Sequence, residues 1–127
     1  MTIELDHAIL NVNDVTKSLD FYTRILGLKH EGEDDPFSIL RVSSGLMILL
    51  APWGTKGGEH LAFSMSAGEF DDTFQRIVDA KIPYGDRYDS VGNMKAPGNE
   101  RGARGMGKAI YVFDPNEHLI EIRSYDA

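Results

Sequence analysis

Four histidines, twenty acidic side chains and no cysteine make up the chain's means for chemistry. The absence of Cys removes disulfides, thiolate zinc clusters, iron–sulfur ligation and thiol nucleophiles, so any metal must sit on nitrogen and oxygen. Two histidines fall at matching places: His7 in Leu5-Asp6-His7-Ala8-Ile9 and His60 in Glu59-His60-Leu61-Ala62-Phe63, each opening an apolar, strand-like segment. Strand alternation puts His7 on one face with Leu5 and Ile9, and His60 with Ala62 and Ser64. A third candidate is Glu121, set between Ile120 and Ile122 and sharing its face with Leu119 and Arg123. A carboxylate in such a strand is costly to bury unless a cation or a donor compensates it. Two imidazoles and one carboxylate suit a divalent first-row ion, with coordination positions left open for substrate or water. Taken singly, His7 and His60 read as hydrogen-bonded strand histidines and Glu121 as a solvent-facing one. Their repeat-related placement joins them into one ligand set.

Other polar residues divide less clearly. The run Arg101-Gly102-Ala103-Arg104-Gly105-Met106-Gly107 has the glycines of a phosphate cradle but precedes a strand instead of opening a helix, which argues against dinucleotide binding. It reads either as a mobile loop or as a lid whose Arg101 and Arg104 meet an anionic substrate. His30, among Lys29, Glu31 and Glu33, is expected in solvent. His118 has the opposite parity to Glu121 and belongs to a turn, so it is excluded as a ligand.

The elements that must position these residues follow one pattern twice. Ile3 to Val12 alternates as a strand. Asn13-Asp14 caps a helix carrying Val15, Leu19, Tyr22 and Leu26, and Gly27 closes it. Strands follow at Leu28 to Glu33, Phe37 to Val42 and Leu46 to Ala51. After a glycine-rich connection the order starts again. Glu59 to Met65 is a strand, and Phe70, Phe74, Ile77 and Lys81 form a helical stripe. Tyr84 to Val91 is read as a strand, Gly92 to Gly107 as a long loop, and Lys108 to Phe113 and His118 to Arg123 as two final strands. The expected fold class is therefore α+β, with two βαβββ modules. A module of about 60 residues is too small to be comfortable alone, so the two should share a core or a sheet, helices on one face and a cavity on the other.

Length and charge set the frame. The 127 residues are expected to form one domain, 1–127, with module 1 at about 1–53 and module 2 at about 58–127. A net charge of −7 argues against nucleic acid and anionic membranes, both of which need a basic face, and leaves a small-molecule substrate as the expected partner. The N-terminal segment has neither a basic run nor an apolar one, and no stretch approaches a membrane span, so a cytoplasmic location is expected.

The paired histidines, Phe21-Tyr22 and Leu26-Gly27-Leu28 on the first helix, and the closing Asp114-Pro115-Asn116-Glu117-His118-Leu119-Ile120-Glu121 resemble the vicinal oxygen chelate superfamily over essentially the whole chain. That superfamily includes glyoxalase I, fosfomycin-resistance thiol transferases, methylmalonyl-CoA epimerase, extradiol dioxygenases and bleomycin-sequestering proteins. The resemblance implies a U-shaped mixed sheet around a metal and substrate cavity, with the helices outside. It also implies one divalent ion (Fe, Mn, Ni, Zn or Co) on His7, His60 and Glu121, and a homodimer.

Departures from the subfamilies narrow the reaction. Glyoxalase I carries a second Glu where this chain has Leu49, so its two-carboxylate proton shuttle is disfavoured. Tyr111, ten residues before Glu121, matches an active-site Tyr of extradiol dioxygenases and of fosfomycin-resistance enzymes, but also reads as a core aromatic. The extradiol enzymes' additional histidines have no counterpart in Leu46 to Ala51 or Asn99 to Gly107, although the Arg101 to Gly107 loop resembles that of single-domain dioxygenase-like members. Where fosfomycin-resistance enzymes hold the phosphonate with a Thr and a Lys, this chain has Ile9 and, approximately, Arg101. The expectation is a metal-dependent enzyme of the glyoxalase/dioxygenase type on a small oxygen-chelating substrate, ring-cleaving or lyase-like. The alternatives are a non-catalytic protein that sequesters an antibiotic and a fosfomycin-type thiol transferase.

Overall fold

A computed structural model describes residues 2–126. The chain divides into two compact units, Met1–Lys56 and Gly57–Ala127. Each is an α+β unit with one four-stranded mixed sheet.

In the first unit β1 (His7–Asn11) leads into α1 (Val15–Asp20), which continues as a π-helical turn at Phe21–Ile25. The Asp14 carboxylate accepts from Lys17 N–H at 3.1 Å, satisfying one of the orphan donors at the helix start. At the other end Gly27, at φ 78°, lets Gly27 N–H reach Thr23 O and Leu28 N–H reach Tyr22 O. Strands β2 (Lys29–Asp34), β3 (Phe37–Ser43) and β4 (Leu46–Ala51) complete the sheet in the order β1-β4-β3-β2. Leu10, Leu40, Ile48 and Leu50 are buried, whereas Ile9 on the opposite parity is exposed, so the face of β1 that carries His7 lies away from the buried side. The alternation of Ile3 and Leu5 does not extend β1: pairing begins at His7, and both side chains stay exposed.

The second unit repeats this plan. It holds β5 (His60–Ser64), α2 (Ala67–Asp79), β6 (Gly98–Gly102), β7 (Gly105–Phe113) and β8 (Leu119–Ser124), in the sheet order β5-β8-β7-β6. Ser66 caps α2 through Glu69 N–H, and Phe70, Thr73 and Ile77 form its buried stripe, with the helix packed against β8. Ile120 and Ile122 of β8 are fully buried. Removing such side chains from water contributes about 1.5–3 kcal/mol each, which anchors the strand that carries Glu121 between them.

The repeat holds in register as well as in order. In the first sheet Leu49 pairs with Ile9 on one side and Ile39 on the other; in the second, Glu121 pairs with Ala62 and Tyr111. Leu49 is thus the positional counterpart of Glu121, and His7 that of His60. Two expectations from sequence are corrected. Tyr84 to Val91 is not a strand: it is turns, joined to the sheet by a bridge between Gly85 and Tyr111. A Cβ at Gly85 would fall 2.1 Å from Ser90 O, so the chain there folds back on itself too tightly to run on as a strand. The expected loop from Gly92 to Gly107 instead holds β6 and the start of β7, joined by a tight turn at Ala103-Arg104. Its glycines lower strand propensity, but close approach of other groups requires Gly98, Gly102 and Gly107, and tertiary packing overrides propensity.

Candidate functional site

Glu121 lies on the face of the second sheet opposite to the one buried by Ile120 and Ile122. It is itself buried, because the β6–β7 hairpin and Arg123 cover it. Its two oxygens have separate partners. Oε1 stands 3.0 Å from His60 Nε2, and Oε2 accepts from Arg123 Nη1 at 2.6 Å. Arg123 is 2% exposed, and its other terminal nitrogen donates to Glu100 O at 2.9 Å, while Nε is buried without a hydrogen-bond partner. The cation that a buried carboxylate requires is therefore supplied by the same strand, two residues on.

The hairpin fits over that guanidinium only because it is built from glycine. A Cβ on Gly102 would lie 2.3 Å from Arg123 Cζ, and one on Gly107 would lie 3.2 Å from Arg123 Nη2 and 2.6 Å from Ser124 O. Tyr125 adds a second tie: its hydroxyl accepts from Arg104 N–H at 3.2 Å, and both Arg104 and Arg123 lie against its ring, at 4.2 and 4.6 Å from the centroid.

Together these elements line an open cavity of about 470 Å³. That is within the usual range of small-molecule sites, about 300–1,000 Å³. His60, Ala62 and Ser64 supply one wall from a single strand face, Glu121, Arg123 and Tyr125 another, and Arg101 to Arg104 the hairpin side. The structure thus brings His60, Glu121, Arg101 and Arg104 to one cavity. Tyr111 pairs directly with Glu121 across the β7–β8 ladder and stands 6.4 Å from His60, ring to ring. It is buried and is not among the side chains that line the cavity. Its phenol is pushed up to about 12, chiefly by burial and then by the negative charges of Glu121 and Glu100. Tyr111 therefore keeps its proton at neutral pH.

His7 sits in the first unit at the position that corresponds to His60. Its Nδ1 is 2.7 Å from Asp6 Oδ2, the pairing by which a carboxylate orients an imidazole and leaves Nε2 as the nitrogen open to a ligand. Within neither unit do three His, Asp or Glu side chains cluster among the described residues. His60 and Glu121 lie together in the second unit, and His7 belongs to the first. His60 and Glu121 meet at hydrogen-bond distance, 3.0 Å, and as an imidazole and a carboxylate they are donor types that divalent first-row ions take; two donors set at right angles about 2.1 Å from one ion would stand about 3.0 Å apart.

The remaining histidines serve structure. His118 is buried, with Nδ1 accepting from Glu59 N–H at 3.2 Å, and its own N–H bonds to Asp114 in the β7–β8 turn. His30 pairs at the surface with Glu33. Arg123 and Tyr125 are the site residues that sequence reasoning did not assign. Arg123 had a legible signal, since it shares a strand face with a carboxylate that needed a counter-charge.

Comparison with known proteins agrees with this architecture. The chain is 25% identical over 131 residues to the metallothiol transferase FosB of Lysinibacillus sphaericus, covering 98% of this chain and 84% of that protein. It is similar to the solved structure of oxidase ChaP-H2, with a TM-score of 0.82, 29% identity and coverage of 98% and 94%. The fold is also that of the fosfomycin resistance protein FosX from Listeria monocytogenes, at a TM-score of 0.70, 21% identity and coverage of 98% and 94%. No helix among the described residues is long and apolar enough to cross a membrane. With the family model matching residues 4–122, the chain belongs to the Glyoxalase/Bleomycin resistance protein/Dioxygenase superfamily, the vicinal oxygen chelate proteins.

Proposed function

We propose that the protein is a metal-dependent enzyme acting on a small anionic substrate that chelates the metal through adjacent oxygens. One divalent ion is held by His7, His60 and Glu121. The observation that carries this reading is the 3.0 Å apposition of His60 Nε2 and Glu121 Oε1 at the wall of a cavity lined by three arginines. When bound, the ion supplies Lewis acidity that stabilises negative charge developing on a substrate oxygen. The chain's own residues do the rest. Arg123 neutralises Glu121, so the ligand carboxylate adds little net negative charge to the cavity, and Arg101 and Arg104 bring positive charge on the hairpin. Together they favour an anionic substrate over a neutral one. Tyr111 holds its proton and serves as the hydrogen-bonding phenol beside His60 and Glu121.

Two reaction classes have support. The 29% identity to an oxidase over nearly the whole chain favours oxygen chemistry on a chelating substrate. The similarity to a metallothiol transferase favours addition of a thiol, which a chain without Cys must take from a small-molecule cosubstrate. The test is reconstitution of metal-free protein with Fe(II), Mn(II), Co(II), Ni(II) or Zn(II) under anaerobic conditions. Each form is then offered a catechol with oxygen, a hemithioacetal, and a thiol with an epoxide-bearing phosphonate. Turnover in one arm, dependent on metal, is the expected result. Tight binding of a small molecule with no turnover in any arm would replace the enzyme reading with sequestration. A homodimer and a cytoplasmic location belong to the same proposal, and size-exclusion chromatography with light scattering checks the former.

A further inference from the structure

We propose that Arg123 is a positioning residue that restricts Glu121 to one-oxygen ligation and locks the substrate-facing hairpin to the ligand. The inference rests on the metal-site reading above and deepens it. A carboxylate free to rotate can offer one or both oxygens to an ion. Here the guanidinium occupies Oε2 at 2.6 Å, so only Oε1 is presented beside His60 Nε2. The same guanidinium donates to Glu100 O at 2.9 Å, within the hairpin that carries Arg101 and Arg104. One side chain therefore spans from the ligand carboxylate to the β6 backbone, in a space that Gly102 must leave open.

The internal repeat supplies independent support. Register places Leu49 where Glu121 stands and Ala51, the partner of Asn11, where Arg123, the partner of Ser64, stands. The half without the carboxylate also lacks the arginine, as expected if the arginine exists for the carboxylate.

The probe is Co(II), whose visible absorption reports coordination and whose affinity can be measured without turnover. Arg123→Met is expected to weaken Co(II) binding by about 10–100-fold, the usual cost of losing a group that orients a ligand, and to change the visible spectrum. Gly102→Ala keeps the charge but places a methyl 2.3 Å from both Arg123 Cζ and the Tyr125 hydroxyl, so it pushes the guanidinium and the ring that backs it out of place and should act in the same direction. It decides the matter if Arg123→Met does not fold. A folded variant of either kind that binds Co(II) with wild-type affinity and spectrum overturns the inference, provided that the wild type binds more tightly than His60→Ala. If the wild type binds no better than His60→Ala, the metal-site reading itself fails and takes the inference with it.

Discussion

Replacing Glu121 by Leu is expected to destabilise the metal-free protein by about 3–5 kcal/mol, the cost of leaving a buried charge without its partner. Arg123 is 2% exposed and, among the described residues, Oε2 of Glu121 is its only carboxylate contact, at 2.6 Å. The carbonyl of Glu100 is a hydrogen-bond acceptor but carries no full charge to offset the guanidinium. His60 loses its contact too, yet its side chain is half exposed and rehydrates at little cost. Against a typical total of about 5–15 kcal/mol this is a large fraction, visible in chemical denaturation and as a melting temperature lower by about 10 °C or more. The double variant Glu121→Leu/Arg123→Met removes both charges, and is expected to recover to within about 1 kcal/mol of wild type. If the single substitution costs less than about 1 kcal/mol, the guanidinium is hydrated in solution and the buried pair described above does not exist there.

The second large effect is linkage between metal and stability. An ion that binds the native state alone stabilises it by RT ln(1 + [L]/Kd), about 2.7 kcal/mol at a free concentration of one hundred times Kd. Unfolded chain does not bring the proposed ligands together, so the gain should be realised in full. In chelator the His60→Ala variant should denature within about 1 kcal/mol of wild type, since the ring is half exposed and gives up a hydrogen bond to Glu121 and an edge contact with Tyr111. With a divalent ion present the wild type should gain and the variant should not. Equal gains in both proteins would place the ion elsewhere.

The repeat was legible in the sequence because it is carried by patterns that a strand or helix cannot do without. Alternation around His7 and His60, the Asp14 cap and Gly27 closure, and the apolar stripe of α2 each answer a local requirement. The hairpin β6–β7 and the turns at Tyr84 to Val91 were not legible, for a single reason: in both segments what decides the backbone is close approach by a group that is not an immediate chain neighbour. Gly102 is held by Arg123, Gly98 lies against Asp86 O, and Gly85 against Ser90 O. A glycine read in isolation says only that the backbone is free. The site divides along the same line. Glu121 between two isoleucines announced a buried carboxylate, and Arg123 on the same face was the available cation. That Arg123 spans to the hairpin, and that Asp6 meets His7, depends on side-chain geometry that periodicity does not encode.

The central claim, one ion held by a histidine from each half and the carboxylate of β8, is tested most directly by metal content after saturation and gel filtration. Inductively coupled plasma mass spectrometry on the wild type, His7→Ala, His60→Ala and Glu121→Gln, each checked for native circular dichroism, gives the answer. One divalent ion per wild-type chain and near-total loss in all three variants are expected. Metal content unchanged in folded His60→Ala would contradict it.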